Sequence, residues 1–266
     1  MTDLNFDGRV AVITGAGRGL GREYARLFAH DGHDLVLVAR RRERLDELSR
    51  ELAAAHGTTC LVIAVDLAAP SAGQQIADQV QAAGRSIDFL VNNAAFGGRG
   101  AFARSDRRRQ LEMIDVNVRA LVELTHRFLP AMLERKQGRI LNIASIAGFV
   151  PGPFMATYYA SKAFVVSFTE ALASELHGTG VTATASCPGP TATEFGDVAG
   201  SSGSNLFRRH LSDAVSVARH GYRAMLAGTV VAIPGLQNKL SAQSIRIAPR
   251  AVVRAIAAGL NSDRRK

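Results

Sequence analysis

Thr14-Gly15-Ala16-Gly17-Arg18-Gly19-Leu20-Gly21 is the stretch that decides the fold. It follows an apolar, β-branched run, Arg9 to Thr14, and precedes a helix-forming segment, Arg22 to His30. Glycines at a strand-to-helix turn let the backbone reverse sharply and approach a ligand, while the helix N-terminus offers unpaired N–H groups and a partial positive charge. An anionic nucleotide is the natural ligand of such a turn. Its spacing, G-x-x-x-G-x-G, differs from the G-x-G-x-x-G of many dinucleotide enzymes, although similar backbone physics applies.

Further apolar runs lie at Asp34 to Ala39, Cys60 to Val65, Ile87 to Val91, Ile140 to Ala144 and Val181 to Ser186, and they read as buried strands. Helix-period stretches separate them. Arg41 to His56 carries Leu45, Leu48 and Leu52 on one stripe, and Gln74 to Ala83 follows the same logic. The alternation predicts an α/β fold: a doubly wound Rossmann-type domain with a mostly parallel sheet of about seven strands, helices on both faces and a ligand site at the strands' carboxyl ends. The 266 residues are read as one domain, 1–266, with a variable substrate-loop segment at about 194–228. Ala199 to Asn205 is its most loop-like part. Leu236 to Leu260, basic and intermittently apolar, predicts a final strand and helix, with a membrane-surface contact as the alternative.

Composition narrows the classes. Hydrophobic residues make up 47% and charged residues 21%, a globular mix that excludes a disordered chain. Cys60 and Cys187, far apart, exclude a disulfide scaffold or a cysteine-rich zinc module and fit a reducing, cytoplasmic location. The first residues show neither a basic nor an apolar leader pattern. The 22 uncharged residues between Arg139 and Lys162 are interrupted by Pro151-Gly152-Pro153 and carry Asn142, Ser145 and Tyr158, so no transmembrane segment is expected. A net charge of +9 invites a nucleic-acid reading. The basic clusters are short, though, and there is no Trp. Arg107 to Arg109 and the tail Arg264, Arg265, Lys266 read as solvated, and no nucleic-acid partner is expected. Among the seven His, His30 and His33 are read as surface residues at a helix end, and no metal site is expected.

The second predicted strand ends in Val38-Ala39-Arg40-Arg41-Arg42. A dinucleotide fold reads the adenosine ribose at that point: an acidic residue selects the 2′-hydroxyl, whereas Arg accommodates a 2′-phosphate. Arg40, with Arg18 in the glycine turn as a second guanidinium, favours NADP (NADPH). The competing reading, in which the arginines simply open an exposed helix, fits Arg42.

Tyr158 and Lys162 lie four apart and share one helix face, where a cation favours the phenolate and lowers the phenol pKa from about 10. That supplies an acid/base group for near-neutral pH. Ser145, closing the fifth predicted strand, is placed to hydrogen-bond a substrate oxygen.

In this order the residues resemble the short-chain dehydrogenase/reductase family, whose signatures TGxxxGxG, NNAG, Asn, Ser and YxxxK appear as Thr14 to Gly21, Asn92-Asn93-Ala94-Ala95, Asn117, Ser145, and Tyr158 with Lys162. The resemblance covers Phe6 to Thr193 and includes Pro188-Gly189-Pro190-Thr191-Ala192-Thr193, similar to the family's PGxxxT turn. Glu194-Phe195 to Gly200 and Val231 to Leu240 are similar to a bacterial subgroup of broad or unassigned substrate specificity. The resemblance implies catalysis by Tyr158 (proton transfer), Ser145 (substrate oxygen), Lys162 (nicotinamide ribose and Tyr158) and Asn117 (a relay water). It implies cofactor contacts by Gly15, Arg18, Gly19, Leu20, Gly21, Arg40, Asp66, Leu67, Asn93, Tyr158, Lys162, Pro188, Gly189, Thr191 and Thr193. It also implies a homodimer or homotetramer through helices Leu111 to Leu133 and Tyr158 to Leu176.

Ala95 replaces the last Gly of NNAG, which would add strain of order 1 kcal/mol if that position required positive φ or unusually close cofactor approach. Thr191 stands where the family more often has an aliphatic residue. Phe96, Phe149, Phe154, Met155, Phe195, Val198, Leu206 and Phe207 are the candidate substrate-pocket residues and suggest an apolar carbonyl compound or alcohol. The expected activity is NADP(H)-dependent carbonyl reduction, reversible as alcohol oxidation. The alternative is an NADP-binding regulatory or scaffold protein with vestigial chemistry.

Overall fold

The computed structural model describes residues 9–200, 211–245 and 248–262. Its centre is a seven-stranded sheet of β1 (Val10–Thr14), β2 (Asp34–Ala39), β3 (Cys60–Ala64), β4 (Ile87–Asn92), β5 (Gly138–Ile143), β6 (Val181–Ser186) and β7 (Val231–Ala232). The order is β3-β2-β1-β4-β5-β6-β7 and each pairing is parallel. This is the Rossmann-like architecture expected from the alternating runs.

Those runs are continuously apolar because both sheet faces are covered. Successive side chains still point to opposite sides. Val12, Val36, Leu90 and Ile140 enter one core layer, while their neighbours Ile13, Leu37, Val91 and Leu141 enter the other. The first layer packs on α3 (Ala72–Ala82), α5 (Ala120–Glu134) and α6 (Ala156–Glu175) through Ile76, Leu124 and Leu172. The second packs on α1 (Gly19–His30), α2 (Arg42–His56) and α8 (Ala214–Leu226) through Phe28, Leu48 and Tyr222. A polar chain lies buried between β4, β5, α5 and α6. The Asn92 amide donates to Thr125 Oγ1 (3.1 Å) and Asn142 Oδ1 (2.9 Å), and the Asn142 amide donates to Thr169 Oγ1 (2.9 Å).

The remaining helices border the strand ends. α4 (Arg107–Ile114) runs through a π-turn, Asp115–Arg119, into α5; α7 (Phe195–Val198), α9 (Leu236–Ser244) and α10 (Arg250–Asn261) follow β6. Strand order reverses between β1 and β4, which opens a crevice at their carboxyl ends. None of the described helices is long and apolar enough to cross a membrane.

Two readings need correction. Among its described residues, Leu236 to Leu260 holds two helices and no strand; the last strand of the described residues is the two-residue β7 upstream, too short to leave a periodic pattern. His33 is not at the surface: it is 1% exposed and packs on Phe28 and Phe89, with ring centroids 5.8 and 5.0 Å away. The chain turns inward immediately after α1, so His33 enters the core while His30 stays exposed. The tail Arg264 to Lys266, Leu206, Phe207 and most of the loop-like stretch Ala199 to Asn205 lie outside the described residues.

Candidate active site

The glycine turn after β1 builds one wall of the crevice. A Cβ on Gly21 would lie 2.2 Å from the Gly15 carbonyl oxygen, and one on Gly15 would lie 2.8 Å from Asn93 Nδ2. Both positions need glycine on space alone, and Gly15 and Gly19 also have positive φ, 67° and 51°. Asn93 stitches β4 to this turn: its amide donates to the Thr14 and Gly15 carbonyls at 2.8 and 3.3 Å. A cleft of about 1050 Å³ results, lined at this end by Gly15, Arg18, Gly19, Leu20 and Asn93, and beside them by Arg40, Asp66 and Leu67. Gly21 is buried beneath the turn and does not line the cleft.

Four arginines, Arg18, Arg40, Arg41 and Arg44, line the end reached by β2. Arg40 is largely exposed and lies 3.8 Å from Asp66. Arg44 went unremarked in the sequence because it sits inside a charged helix face. Across the cleft, Pro188, Gly189, Thr191 and Thr193 follow β6 and also line it. Thr191 Oγ1 donates to the Gly189 carbonyl at 2.9 Å, so the hydroxyl that departs from the aliphatic pattern is satisfied within the turn. Ala95 lines the cleft and is not among the described residues with positive φ, so its Cβ carries no backbone strain.

Ser145, Tyr158 and Lys162 meet in the same cleft. Ser145 Oγ donates to the Pro188 carbonyl at 3.3 Å and accepts from Ala147 N at 3.1 Å. Lys162 is 3% exposed; its Nζ donates to the Ile143 carbonyl at 2.6 Å and stands over the Tyr158 ring, 5.9 Å from its centroid. Burial pulls the ammonium pKa down to about 8. The phenol moves opposite to the sequence expectation. Burial pushes the Tyr158 pKa up, the Ser145 hydrogen bond draws it back, and neighbouring Tyr159 adds to the rise. The physical reason is placement: Lys162 covers the ring face and gives its hydrogen bond to a backbone carbonyl.

Asn117 lies in the π-turn, a single-turn irregularity of the kind that recurs at functional sites. Its side chain is engaged: Oδ1 accepts from Phe96 N at 3.1 Å, and Nδ2 donates to the Phe96 carbonyl and Ser161 Oγ, both at 3.0 Å.

The far end of the cleft is apolar. Phe96, Met155, Phe195 and Val198 line it as anticipated. Phe149 does not; it packs against the Val165 core cluster, and Phe154 is 45% exposed with φ of 66°. Sequence reading missed Ile245, Val253, Ile256 and Leu260 of the C-terminal segment, which close this end. Arg109, read as solvated, is exposed, and its guanidinium also donates to the Val198 carbonyl at 2.9 Å and lies 5.2 Å from the centre of the Phe96 ring. Among the described residues, no group of His, Cys, Asp or Glu is arranged to hold a metal.

Known proteins resemble this chain in sequence and fold. Sulfoacetaldehyde reductase 2 of Chromohalobacter salexigens is 41% identical over 188 residues, 70% of this chain and 74% of that protein. Among solved structures, a short-chain dehydrogenase from Sphingobium yanoikuyae in complex with NADPH superposes with a TM-score of 0.82 at 30% identity, covering 92% of this chain and 94% of that one. One from Burkholderia phymatum in complex with NAD gives 0.82 at 28% identity, covering 90% and 93%. Against two other curated relatives the match spans 62% and 65% of their length. The short chain dehydrogenase family model matches residues 9–202, and this chain belongs to that family.

Proposed function

We propose that this protein is an NADP(H)-dependent oxidoreductase that interconverts an apolar ketone or aldehyde and its alcohol. The observation that carries this reading is the convergence of Ser145, Tyr158 and Lys162 in one cleft with a glycine turn and four arginines. The cradle fits a dinucleotide: Gly15, Gly17 and Gly19 present bare backbone to the cleft, Gly21 packs tightly beneath them, and the ribose-reading end is basic. Arg18 and Arg40 would hold the 2′-phosphate, with Gly15, Gly19, Leu20 and Gly21 forming the pyrophosphate turn. Asp66, Leu67 and Asn93 would flank the adenosine, and Pro188, Gly189, Thr191 and Thr193 the nicotinamide. When bound, the cofactor supplies or accepts the hydride.

The residues of the chain handle the proton and the oxygen. Ser145 holds the carbonyl oxygen, and Tyr158 donates its phenolic proton as that oxygen becomes an alkoxide. A buried neutral phenol suits an acid in the reductive direction. Lys162, poised at about 8, orients the ribose and balances the phenolate left behind. Because both Asn117 amide protons are engaged and Oδ1 already accepts one hydrogen bond, a relay water would rest on the main-chain carbonyl. Exposed Leu111, Ile114 and Phe164 on α4 and α6 support pairing of subunits through those helices as a homodimer or homotetramer.

The NADPH-bound Sphingobium relative favours the phosphorylated cofactor, the NAD-bound Burkholderia relative the other, and the arginines tip the choice. The test is NADPH oxidation with carbonyl compounds graded from small and polar to long and apolar, with Tyr158→Phe as control. Turnover that increases with apolar size and disappears in the variant supports the reading. Equal turnover by the variant would remove Tyr158 from the mechanism, and binding of NADPH without turnover across the panel would favour the sensor or scaffold alternative.

A further inference from the structure

Glu194 is not among the expected site residues, yet it lines the cofactor cleft at its arginine-rich end. It follows Thr193, whose side chain a Cβ on Gly19 of the glycine turn would meet at 3.3 Å, and its carboxylate is held by two guanidinium groups. Oε2 accepts from Arg18 Nη1 at 2.9 Å; Oε1 and Oε2 accept from Arg44 Nη1 at 3.0 and 3.3 Å. Arg18 lies in the glycine turn, and Arg44 lies in the first turn of α2, just after the strand end that reads the ribose. The two regions touch, since a Cβ on Gly17 would meet the Cβ atoms of Arg44 and Ala39 at 3.6 and 3.7 Å.

Arginine forks recognise carboxylate and phosphate by the same planar donor geometry. A carboxylate bridging two arginines therefore takes up donors that an incoming phosphate also needs, and its charge repels a phosphate dianion. The two arginines hold the Glu194 carboxyl below its ordinary range, so it stays ionised at neutral pH. The groups are 29% to 48% exposed, so water screens the ion pairs and an anion can exchange with the carboxylate.

We propose that Glu194 is a specificity-determining residue that competes with the cofactor 2′-phosphate for Arg18 and Arg44 and so moderates the preference for NADPH over NADH. The proposal rests on the NADP(H) reading of the cleft. It assigns Arg44 to the phosphate-binding group, and it predicts that removing the Glu194 charge sharpens discrimination between phosphorylated and unphosphorylated ligands.

The experiment is calorimetric titration of wild type and Glu194→Gln with four probes, NADPH, NADH, 2′,5′-ADP and 5′-AMP, none of which requires turnover. The amide is isosteric and partly exposed, so the fold is retained. The expected result is that NADPH and 2′,5′-ADP bind the variant about fivefold more tightly, whereas NADH and 5′-AMP change by less than about twofold. Unchanged or weaker 2′,5′-ADP binding, or an equal change for 5′-AMP, overturns the proposal. If wild type does not prefer NADPH but the variant does, the cofactor assignment fails and the role of Glu194 stands. If wild type prefers NADPH and the variant prefers it no more strongly, the cofactor assignment stands and the role of Glu194 fails; no preference in either protein removes both.

Discussion

The Phe195 ring lies against the Tyr158 ring, with centroids 5.2 Å apart and planes at 46°. Phe195 thus walls the apolar end of the cleft and helps keep water from the phenol whose pKa burial raises. Phe195→Ala is expected to raise KM for a bulky apolar ketone about tenfold, the scale of a lost apolar contact. It also admits water to the phenol. The high-pH limb of the reductive kcat profile should then move to lower pH, and steady-state kinetics across pH checks both effects.

Lys162 gives a signed prediction for stability. Its pKa is depressed to about 8 in the folded protein, below the unfolded value near 10.4, so between these pH values the unfolded chain binds more protons. Wild-type stability therefore rises through that window relative to Lys162→Met, which has no such titration. The full-shift bound is about 3 kcal/mol. Urea unfolding of both proteins from pH 7.5 to 10.5 measures the changing difference; a constant difference would refute the buried-ammonium reading.

Asn261 ties the C-terminal helix to the site. Its side chain accepts from Tyr159 Oη at 3.1 Å and donates to the Pro153 carbonyl at 3.0 Å, while its carbonyl accepts from Arg99 Nε at 2.6 Å. Asn261→Ala should cost about 1–3 kcal/mol by leaving buried polar atoms unpaired. Limited proteolysis should cut α10 earlier in the variant. Loss of global stability with α10 still protected would place the role elsewhere.

Arg40→Asp exchanges a largely exposed cation for an anion beside Asp66, 3.8 Å from the original guanidinium. Fold stability should change by no more than about 0.5 kcal/mol, as at most surface sites. The ratio of NADPH to NADH dissociation constants should rise, measured by fluorescence titration. An unchanged ratio would take Arg40 out of cofactor selection.

Much of the fold was legible because a sheet covered on both faces needs long β-branched runs, and Val10–Thr14 and Asp34–Ala39 are unmistakable ones. The candidate site was legible where its residues are near neighbours, as with Tyr158 and Lys162 on one helix face, although the direction of the Tyr158 shift was not. What escaped reading depends on distance along the chain. Glu194 and Arg44 are 150 residues apart, and Tyr159 and Asn261 are 102 apart, so no local periodicity links either pair. The π-turn at Asn117 was equally silent, since its backbone shift needs no special residue type. β7 spans two residues, which left the helices of Leu236 to Leu260 to be mistaken for a strand and helix.

The buried Asn92–Asn142–Thr169 chain acts as an alignment key. Apolar strands and helices can slide past one another and still find oily neighbours, but each amide nitrogen here has a fixed mate, and a slip of one residue would strand it in a dry interior at about 1–3 kcal/mol. Asn142 lies three residues before Ser145, and Thr169 lies two helical turns after Lys162. The lock therefore sits on the two elements whose relative position sets the distance from the serine hydroxyl to the lysine ammonium. Mutating it to well-packed hydrophobics should preserve folding while blurring that distance, so precision of chemistry and stability of the fold become separable properties of this protein.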